Sequence, residues 1–228
     1  MAAKAEHVEE CVPYPMFVRL QGARVVCVGG GAVAARKVDS LLEYGADVVV
    51  IAPEACDRIC ALTDEGAITW ERRAYRSGDL DGARLAIVAT SNRTVNEAAS
   101  AEADEKNILL NVVDDPEMCS FLVPSVVRRG QLQVAISTNG AAPSVAREVR
   151  RDLEQRFPAW WEAYIDLLAE LRMLVKCRVH GSSDRRAVIF EKIRSSDIGD
   201  RIACGDTITA EQAYQEIVAP LVEEFEAS

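Results

Sequence analysis

The sequence lacks several of the residues and runs on which whole classes of protein depend. It has two histidines, His7 and His180, and neither is spaced from another residue as a metal site or a catalytic triad requires. It contains no G-x-S-x-G, no H-E-x-x-H and no Walker lysine motif. Its apolar runs stay well short of the roughly 18 residues of a membrane-spanning helix, and no signal-peptide core is present. We therefore predict a cytoplasmic protein without a membrane partner.

The number of cysteines and the net charge exclude further classes of protein. The seven cysteines are odd in number and scattered, which favours reduced thiols in a cytosolic protein over a disulfide framework. Cys56 and Cys60 are four residues apart on a predicted helix, but no third ligand is evident, so no metal site is predicted. The formal net charge of −10 argues against a nucleic-acid partner.

One segment departs from this acidic background. Between Arg128 and Arg151 the chain has five arginines against one acid, Glu148. Guanidinium groups bind carboxylates through paired hydrogen bonds, so the cluster predicts a polyanionic small molecule as ligand. The alternative is that these arginines occupy solvated positions of a helix and a turn. The candidate ligand-binding residues are Arg128, Arg129, Arg147 and Arg150.

The chain is organised around residues 24–37, R-V-V-C-V-G-G-G-A-V-A-A-R-K. Arg24–Val28 is predicted as a buried strand and Ala32–Tyr44 as a helix, with three glycines between them. Such a turn lets backbone N–H groups and the positive end of the helix approach a pyrophosphate. The context therefore predicts a dinucleotide site of the G-x-G-x-x-A type. Its positions are Gly29, Gly31 and Ala34, with Gly30 between the two glycines.

One acidic residue indicates which dinucleotide binds. Glu54 follows a second predicted strand at Asp47–Ala52 and is the candidate for binding the ribose hydroxyls. Because no basic residue follows until Arg58, NAD is favoured over NADP. The alternative is that Glu54 is an exposed residue in the first turn of a helix, where the helix dipole favours an acid. Thr90 and Ser91, after a later predicted strand, are assigned to the same cofactor.

Strands and helices alternate along the first half of the chain. This order predicts an α/β fold with a Rossmann-type, doubly wound parallel sheet, whose ligands bind beyond the carboxyl ends of the strands. From Asp114 the pattern changes to a β-hairpin with its turn at residues 128–130, and then to helices. We expect three domains: an NAD-binding domain at 1–113, a hairpin and helix region at 114–150, and a helical C-terminal domain at 151–228.

The remaining predicted elements complete this outline. A loose tail is expected at 1–12 and a strand or hook at Pro13–Leu20. We expect helices at Glu54–Asp64, Arg93–Lys106 (capped by Asn92), Ala141–Gln155, 159–178, 184–195 and 209–226, and strands at Ala67–Trp70, Leu85–Ala89, Ile108–Val113, Ser120–Val127 and Leu132–Ser137.

A candidate for proton transfer follows the fifth predicted strand. Asn111, Asp114 and Asp115 are expected at the mouth of the cofactor crevice, because parallel strands end at the same edge of the sheet. A carboxylate there would take a proton while a hydride passes to nicotinamide. One alternative is that this carboxylate helps to bind a metal ion, and another is that Asp114 or Asp115 caps the turn before Pro116.

Several motifs occur together in one order. They are V-G-G-G-A-V-A-A-R-K (28–37), V-A-T-S-N-R-T-V-N (88–96), N-V-V-D-D-P-E-M-C-S-F-L-V-P-S (111–125), V-A-I-S-T-N-G (134–140) and A-P-S-V-A-R-E-V-R (142–150). In order and spacing they resemble the precorrin-2 dehydrogenase and sirohydrochlorin ferrochelatase family, which includes the dehydrogenase module of the siroheme synthases. The resemblance covers residues 13–150 in detail and the helical remainder only by length and character.

The resemblance implies an enzyme of siroheme biosynthesis. Its expected reaction is the NAD-dependent oxidation of precorrin-2 to sirohydrochlorin, followed in many members by insertion of ferrous iron. The alternatives are a dehydrogenase without chelatase activity, its chelatase being a separate enzyme, and an NAD-sensing regulatory module that would need neither Asp114 nor the arginines. Members of this family are homodimers, so residues 114–150 are expected to form the dimerisation and active-site region.

The resemblance also assigns roles to particular residues. Asp114 matches the catalytic aspartate, and Ala32, Val33, Pro53 and Glu54 match the cofactor contacts. Substrate contacts are expected from Asn111, Ser137, Thr138 and the four candidate arginines. Thr138 occupies the position of a serine that is phosphorylated in some members, and this departure from the family pattern leaves a regulatory role open.

Overall fold

The computed structural model describes residues 12–180 and 182–227. The predicted tail, with His7, lies outside the described residues apart from Val12. The chain divides into two compact units at Val123 and Pro124. The expected division into three domains stays a prediction.

The first unit is built on a five-stranded parallel sheet. Its strands are hydrogen-bonded in the order β3-β2-β1-β4-β5, which confirms the Rossmann-type fold. The central strands are continuous apolar runs because helices and loops cover both faces of the sheet. The strands are β1 (Arg24–Val28), β2 (Asp47–Ile51), β3 (Thr69–Glu71), β4 (Leu85–Val88) and β5 (Leu109–Val112).

Among the described residues of this unit the α-helices are α1 (Ala32–Leu42), α2 (Asp57–Asp64) and α3 (Arg93–Lys106), and a 3₁₀ turn (Pro116–Met118) follows β5. The bounds of α3 are those predicted, and the Asn92 side chain accepts from the N–H of Val95 as expected of an N-cap. The predicted start of α2 was wrong by three residues. The N–H of Cys56 donates to the carbonyl of Gly30 at 2.8 Å and holds residues 53–56 as a loop against the glycine turn.

The second unit begins with an antiparallel hairpin, β6 (Ser125–Arg129) and β7 (Leu132–Ile136). The predicted turn at residues 128–130 was wrong, because Arg128 and Arg129 are paired in the ladder with Gln133 and Leu132. The turn consists of Gly130, at φ 54°, and Gln131. A left-handed glycine suits the tight two-residue connection of a hairpin.

Helices make up the rest of the second unit. Leu167, Leu171 and Val175 on the longest of them face a buried cluster shared with the later helices. The short helix at residues 198–203 was not predicted. The π-helical stretch Tyr214–Val218 precedes Pro220, which has no N–H to donate to an ordinary helical turn. The helices are α4 (Pro143–Arg156), α5 (Trp161–Arg178), α6 (Ser183–Arg194), α7 (Ile198–Ala203), α8 (Ala210–Ala213) and α9 (Ala219–Ala227).

The strand or hook expected at Pro13–Leu20 is not a strand. This segment has no regular secondary structure. Tyr14 and Phe17 are exposed, at 86% and 69%, whereas Val18 and Leu20 at its end pack into the core of the first unit. Across the described residues, no helix combines the length and the apolar character that crossing a membrane would demand.

Candidate functional site

A crevice of about 370 Å³ opens at the carboxyl ends of β1, β2 and β4. This is where the strand order reverses between β1 and β4, the position at which open α/β sheets bind their ligands. Seven of the nine predicted cofactor residues line it, while Ala32 and Val33, in the first turn of α1, are not among its lining residues. The seven are Gly29, Gly30, Gly31, Pro53, Glu54, Thr90 and Ser91.

Two glycines bring the walls of this crevice together. Gly29 has φ 125°, and a Cβ there would lie 2.3 Å from the carbonyl oxygen of Ala89. A Cβ on Gly30 would lie 2.1 Å from the carbonyl oxygen of Glu54. The β1 turn can therefore touch the loops after β4 and β2 only because these positions carry no side chain.

The end of α1 is suited to an anion. Gly31 is its N-cap, with nothing within 4 Å of where a Cβ would project. Among the described residues no side chain caps this helix and no acid lies in its first turn, whereas α3 is capped by Asn92. The first N–H groups of α1 and its positive dipole end are thus left for a phosphate. These residues fit the pyrophosphate of a dinucleotide.

Glu54 lies in the loop between β2 and α2 and lines the crevice. The alternative that placed Glu54 in a first helical turn was wrong, because α2 begins at Asp57. A hydrogen bond holds the start of this loop, since the indole N–H of Trp70 donates to the carbonyl of Ala52 at 2.9 Å. This position is suited to binding ribose hydroxyls.

The basic residues near this loop have partners of their own. The guanidinium of Arg58 donates to Asp39 on α1, with the shorter contact at 2.6 Å. Arg72 stacks over the ring of Trp70, and Arg73 is paired with Asp79 at 2.7 Å. Arg58, Arg72 and Arg73 are absent from the crevice lining.

Asp114 follows β5 and is exposed. The N–H of Val113 donates to the carbonyl of Val88, so Asp114 comes directly after the point where β5 leaves β4. Its φ is 62°, a left-handed conformation that aspartate adopts more readily than most residues but still at a cost. Unusual backbone geometry of this kind is concentrated at functional sites, so it supports a functional role for this residue.

The segment around Asp114 is clamped at its base by Cys119. The thiol accepts from the N–H of Val112 at 3.2 Å and lies 3.2 Å from the carbonyl of Asp115, to which it can donate. Burial raises the pKa of the Cys119 thiol, which keeps its proton available for that hydrogen bond. This role was not predicted, because its only signal in the sequence is a cysteine five residues after the aspartate.

Asn111, predicted to bind substrate, is used within the fold. It lies in β5 opposite Ile87, and its amide donates to the carbonyl of Phe121 at 3.0 Å. The hydroxyl of Ser120 accepts from the N–H of Leu110 at 2.7 Å. Residues 119–121 are thereby fastened along the outer edge of β5.

The four candidate arginines differ in their surroundings. Arg129 donates to the carbonyls of Phe157 and Glu154 and so caps the carboxyl end of α4. The side chain of Arg128 donates weakly to the carbonyl of Gly130, at 3.4 Å. Arg150 is paired with Glu154 one turn along α4. Arg147 is exposed, and no ion pair engages it within the described residues.

The loop of Ser137 and Thr138 leads from the hairpin into α4. The hydroxyl of Thr138 accepts from the N–H of Ala142 at 3.1 Å, and Ser137 accepts from the N–H of Asn139. Asn139 is left-handed at φ 52°. Both hydroxyls therefore stabilise the approach to α4, where Pro143 occupies the first turn as predicted.

Comparisons with known proteins match both parts of the chain. Residues 16–125 match a family described as putative NAD(P)-binding, and residues 129–156 match one described as sirohaem biosynthesis protein central. A siroheme synthase of Methylobacillus flagellatus is 38% identical over 205 residues, which is 90% of this chain and 44% of that protein. A siroheme synthase of Pseudomonas entomophila is likewise 38% identical, over 204 residues.

A solved structure agrees with these matches. SirC, a precorrin-2 dehydrogenase, superposes with a TM-score of 0.73 and 25% sequence identity, covering 90% of this chain and 98% of that one. Over these shares the chain is similar to proteins of siroheme biosynthesis. The matches confirm the resemblance identified from the sequence motifs, and they support a nicotinamide dinucleotide-binding domain in the first unit. The chain spans less than half the length of the siroheme synthases it matches.

Across the described residues, no group of three or more histidine, cysteine, aspartate or glutamate side chains is arranged to hold a metal ion. Cys56 and Cys60 are free thiols in the partly buried region around α2.

Proposed function

We propose that this protein oxidises precorrin-2 to sirohydrochlorin with NAD. The observation that carries the proposal is the match to SirC, which extends over 90% of this chain and 98% of that dehydrogenase. The siroheme synthases match over a similar share of this chain but only 44% of their own length. The region that matches the dehydrogenase contains the dinucleotide crevice and Asp114, which favours the oxidation step.

The chemistry divides between the cofactor and Asp114. When bound, the nicotinamide supplies the hydride acceptor. The Asp114 carboxylate, at the carboxyl end of β5, would take a proton that the macrocycle loses as its conjugation extends. The left-handed backbone and the Cys119 clamp would hold that carboxylate in place.

NAD is proposed over NADP. Glu54 would bind both ribose hydroxyls, and a carboxylate repels the 2′-phosphate of NADP. A basic residue would be needed to bind such a phosphate. The nearby candidates Arg58, Arg72 and Arg73 are instead engaged by Asp39, Trp70 and Asp79. Glu54→Gln should therefore raise the affinity for NADP relative to NAD, as measured by titration of both dinucleotides. An unchanged ratio would remove Glu54 from the specificity site.

The substrate is a polycarboxylate, and the arginines of the second unit would bind it. Arg147 is the leading candidate because it is exposed and lacks an ion pair within the described part of the chain. Ser137 and Thr138 remain proposed contacts, since each hydroxyl that accepts from the backbone can still donate. Arg129 already has a structural role at the end of α4.

A homodimer in the cytoplasm is part of the same proposal. The described cysteines are all free thiols, which suits a reducing compartment. Exposed apolar side chains, including Phe17 at 69% and Met173 at 61%, would be covered in a dimer. Sedimentation of the purified protein at several concentrations tests this, and a species of monomer mass at all of them would remove the dimer.

The decisive experiment is an anaerobic assay with precorrin-2. Sirohydrochlorin should appear, with NADH, only when NAD is present. Ferrous ion, a substrate of the second step, is then added to test for chelation above the rate without enzyme. Conversion without a metal-dependent step identifies a dehydrogenase alone. NAD binding without any conversion would overturn the proposed function in favour of an NAD-sensing module.

A further inference from the structure

Glu102, on α3, is the one charged side chain that is buried within the described part of the chain, at 5% exposure. Burying a carboxylate is costly unless hydrogen bonds and an opposite charge replace water. Both oxygens have such partners. One accepts from Lys106 at 2.8 Å and from the N–H of Leu80 at 3.1 Å, and the other from the N–H of Gly78 at 2.9 Å and the hydroxyl of Tyr75. Glu102 thereby fastens residues 75–80 to α3.

This fastening reaches the cofactor crevice through Tyr75. The tyrosine is half-buried, packs against the core under α3, and lines the crevice together with Ala74. Its hydroxyl is held on Glu102, so its ring has a defined orientation at the wall. A second pair, between Arg73 and Asp79, closes the same loop.

The position of Tyr75 indicates which half of a bound dinucleotide would lie beside it. The pyrophosphate belongs at the glycine turn after β1, and Glu54 after β2 belongs to the adenosine ribose. Tyr75 comes after β3, on the same side of β1 as β2. Apolar side chains also line the crevice, among them Ile51, Ala52 and Val95, and Tyr75 and Val95 pack against the same core cluster as Ile51. An aromatic ring beside aliphatic side chains suits a flat base and offers nothing to a phosphate.

We propose that Tyr75 forms the wall of the adenine subsite and that Glu102 is a positioning residue that holds the Tyr75 ring for the base. The inference rests on the dinucleotide-binding role of the first unit, and not on which tetrapyrrole is oxidised. It assigns a function to a buried carboxylate that takes no part in the chemistry.

The test is equilibrium binding of AMP, ADP-ribose and nicotinamide mononucleotide to the full chain, by calorimetry. Stacking on an aromatic side chain contributes enough that Tyr75→Ala should weaken AMP and ADP-ribose about tenfold. Nicotinamide mononucleotide should bind unchanged. Tyr75→Phe keeps the ring and should lose roughly threefold or less. Tyr44→Phe removes the hydroxyl of a tyrosine that is not part of the crevice lining and should change nothing.

A double-mutant cycle separates positioning from general stability. Glu102→Gln should weaken ADP-ribose several-fold in the wild-type background and have no further effect in Tyr75→Ala, because no ring remains to be positioned. An equal loss in both backgrounds would leave Glu102 a merely structural residue and overturn its part of the proposal.

Outcomes for Tyr75 are equally distinct. Unchanged AMP and ADP-ribose affinity in Tyr75→Ala would overturn the adenine subsite, as would a loss confined to nicotinamide mononucleotide. Should Tyr75→Ala not fold, Tyr75→Leu keeps the bulk without the flat ring and carries the same expectation. A wild-type protein that binds ADP-ribose but does not oxidise precorrin-2 would refute the proposed function while this inference stands.

Discussion

The two units present their candidate functional groups in opposite ways. In the first unit the crevice is lined by a glycine turn with close backbone contacts and by Tyr75, whose hydroxyl is held by a buried carboxylate with four partners. In the second unit the candidates are exposed or partly buried side chains on β6, on α4 and in the loop between β7 and α4. Changes in the first should therefore disturb cofactor binding and stability together. Changes in the second should act on substrate affinity alone, except at Arg129, which caps α4.

Asp114 gives the largest expected effect and the sharpest exception to that comparison, since it is an exposed side chain in the first unit. Asp114→Asn keeps the shape and the tolerance for a left-handed backbone but removes the base. Turnover of precorrin-2 should fall about 10²- to 10⁴-fold, the usual contribution of general acid–base catalysis. NAD binding and the unfolding midpoint should hardly move. Asp115→Asn is the matched control, and an equal loss in that variant would shift the role away from Asp114.

The glycine turn should show cofactor binding and stability changing together. A methyl on Gly30 would meet the Glu54 carbonyl at 2.1 Å, so Gly30→Ala must displace the loop. We expect a loss of about 1–3 kcal/mol in the free energy of unfolding, typical of overpacking, and at least tenfold weaker NAD binding. Gly31→Ala meets nothing within 4 Å, so it should weaken NAD binding with a much smaller loss of stability. Urea denaturation and NAD titration measure both; equal destabilisation by the two variants would contradict the geometry.

Glu102 makes the stability of the first unit depend on pH. Burial favours its neutral form, but hydrogen bonds from Lys106, Tyr75 and two backbone N–H groups outweigh burial and hold the pKa of Glu102 below its ordinary 4.5. The folded pKa is lower than the unfolded one, so this contribution is fully present above pH 4.5 and is lost as pH falls through the folded pKa.

Glu102→Gln tests this dependence. It should cost roughly 2–3 kcal/mol of unfolding free energy at pH 7 and flatten the acid limb of stability, measured by urea denaturation between pH 3 and 7. Asp104→Asn changes an exposed acid on the same helix and serves as the control. An acid limb as steep in Glu102→Gln as in the wild type would exclude this carboxylate as its source.

The sequence was most informative where the deciding contacts are local. The bounds of β1 and α3 were predicted correctly because the glycine turn and the Asn92 cap lie within three residues of the ends they define. The late start of α2 was missed, since it depends on a hydrogen bond from Cys56 to Gly30 across the crevice. Arg129 was taken for a turn residue although it pairs with Leu132 in the hairpin. Its role at the end of α4 was missed because the carbonyls it binds are 25 and 28 residues away.

The same distinction between local and distant contacts applies to the residues of the candidate site. Gly29, Gly30 and Glu54 could be placed at the crevice from pattern and spacing alone. Tyr75 and Glu102 could not, because no pattern marks a helical glutamate three of whose partners lie 22 to 27 residues earlier in the chain. The hydrogen bond between Tyr75 and Glu102 forms only because the loop after β3 packs on α3 in the folded chain. The catalytic role of Asp114 and the homodimer stay predictions.

The smallest expected effect belongs to the second unit and compares two of its arginines. Arg147→Ala removes an exposed guanidinium without a described ion pair, so the KM for precorrin-2 should rise several-fold while NAD affinity and the unfolding midpoint stay constant. Arg129→Ala instead leaves the carbonyls of Phe157 and Glu154 without their donor, so it should lower the unfolding midpoint. Steady-state kinetics gives the KM of each variant, and thermal denaturation gives its unfolding midpoint. A raised KM in Arg129→Ala at an unchanged midpoint would reverse the assignment, because the arginine that caps α4 would then be the one that binds substrate.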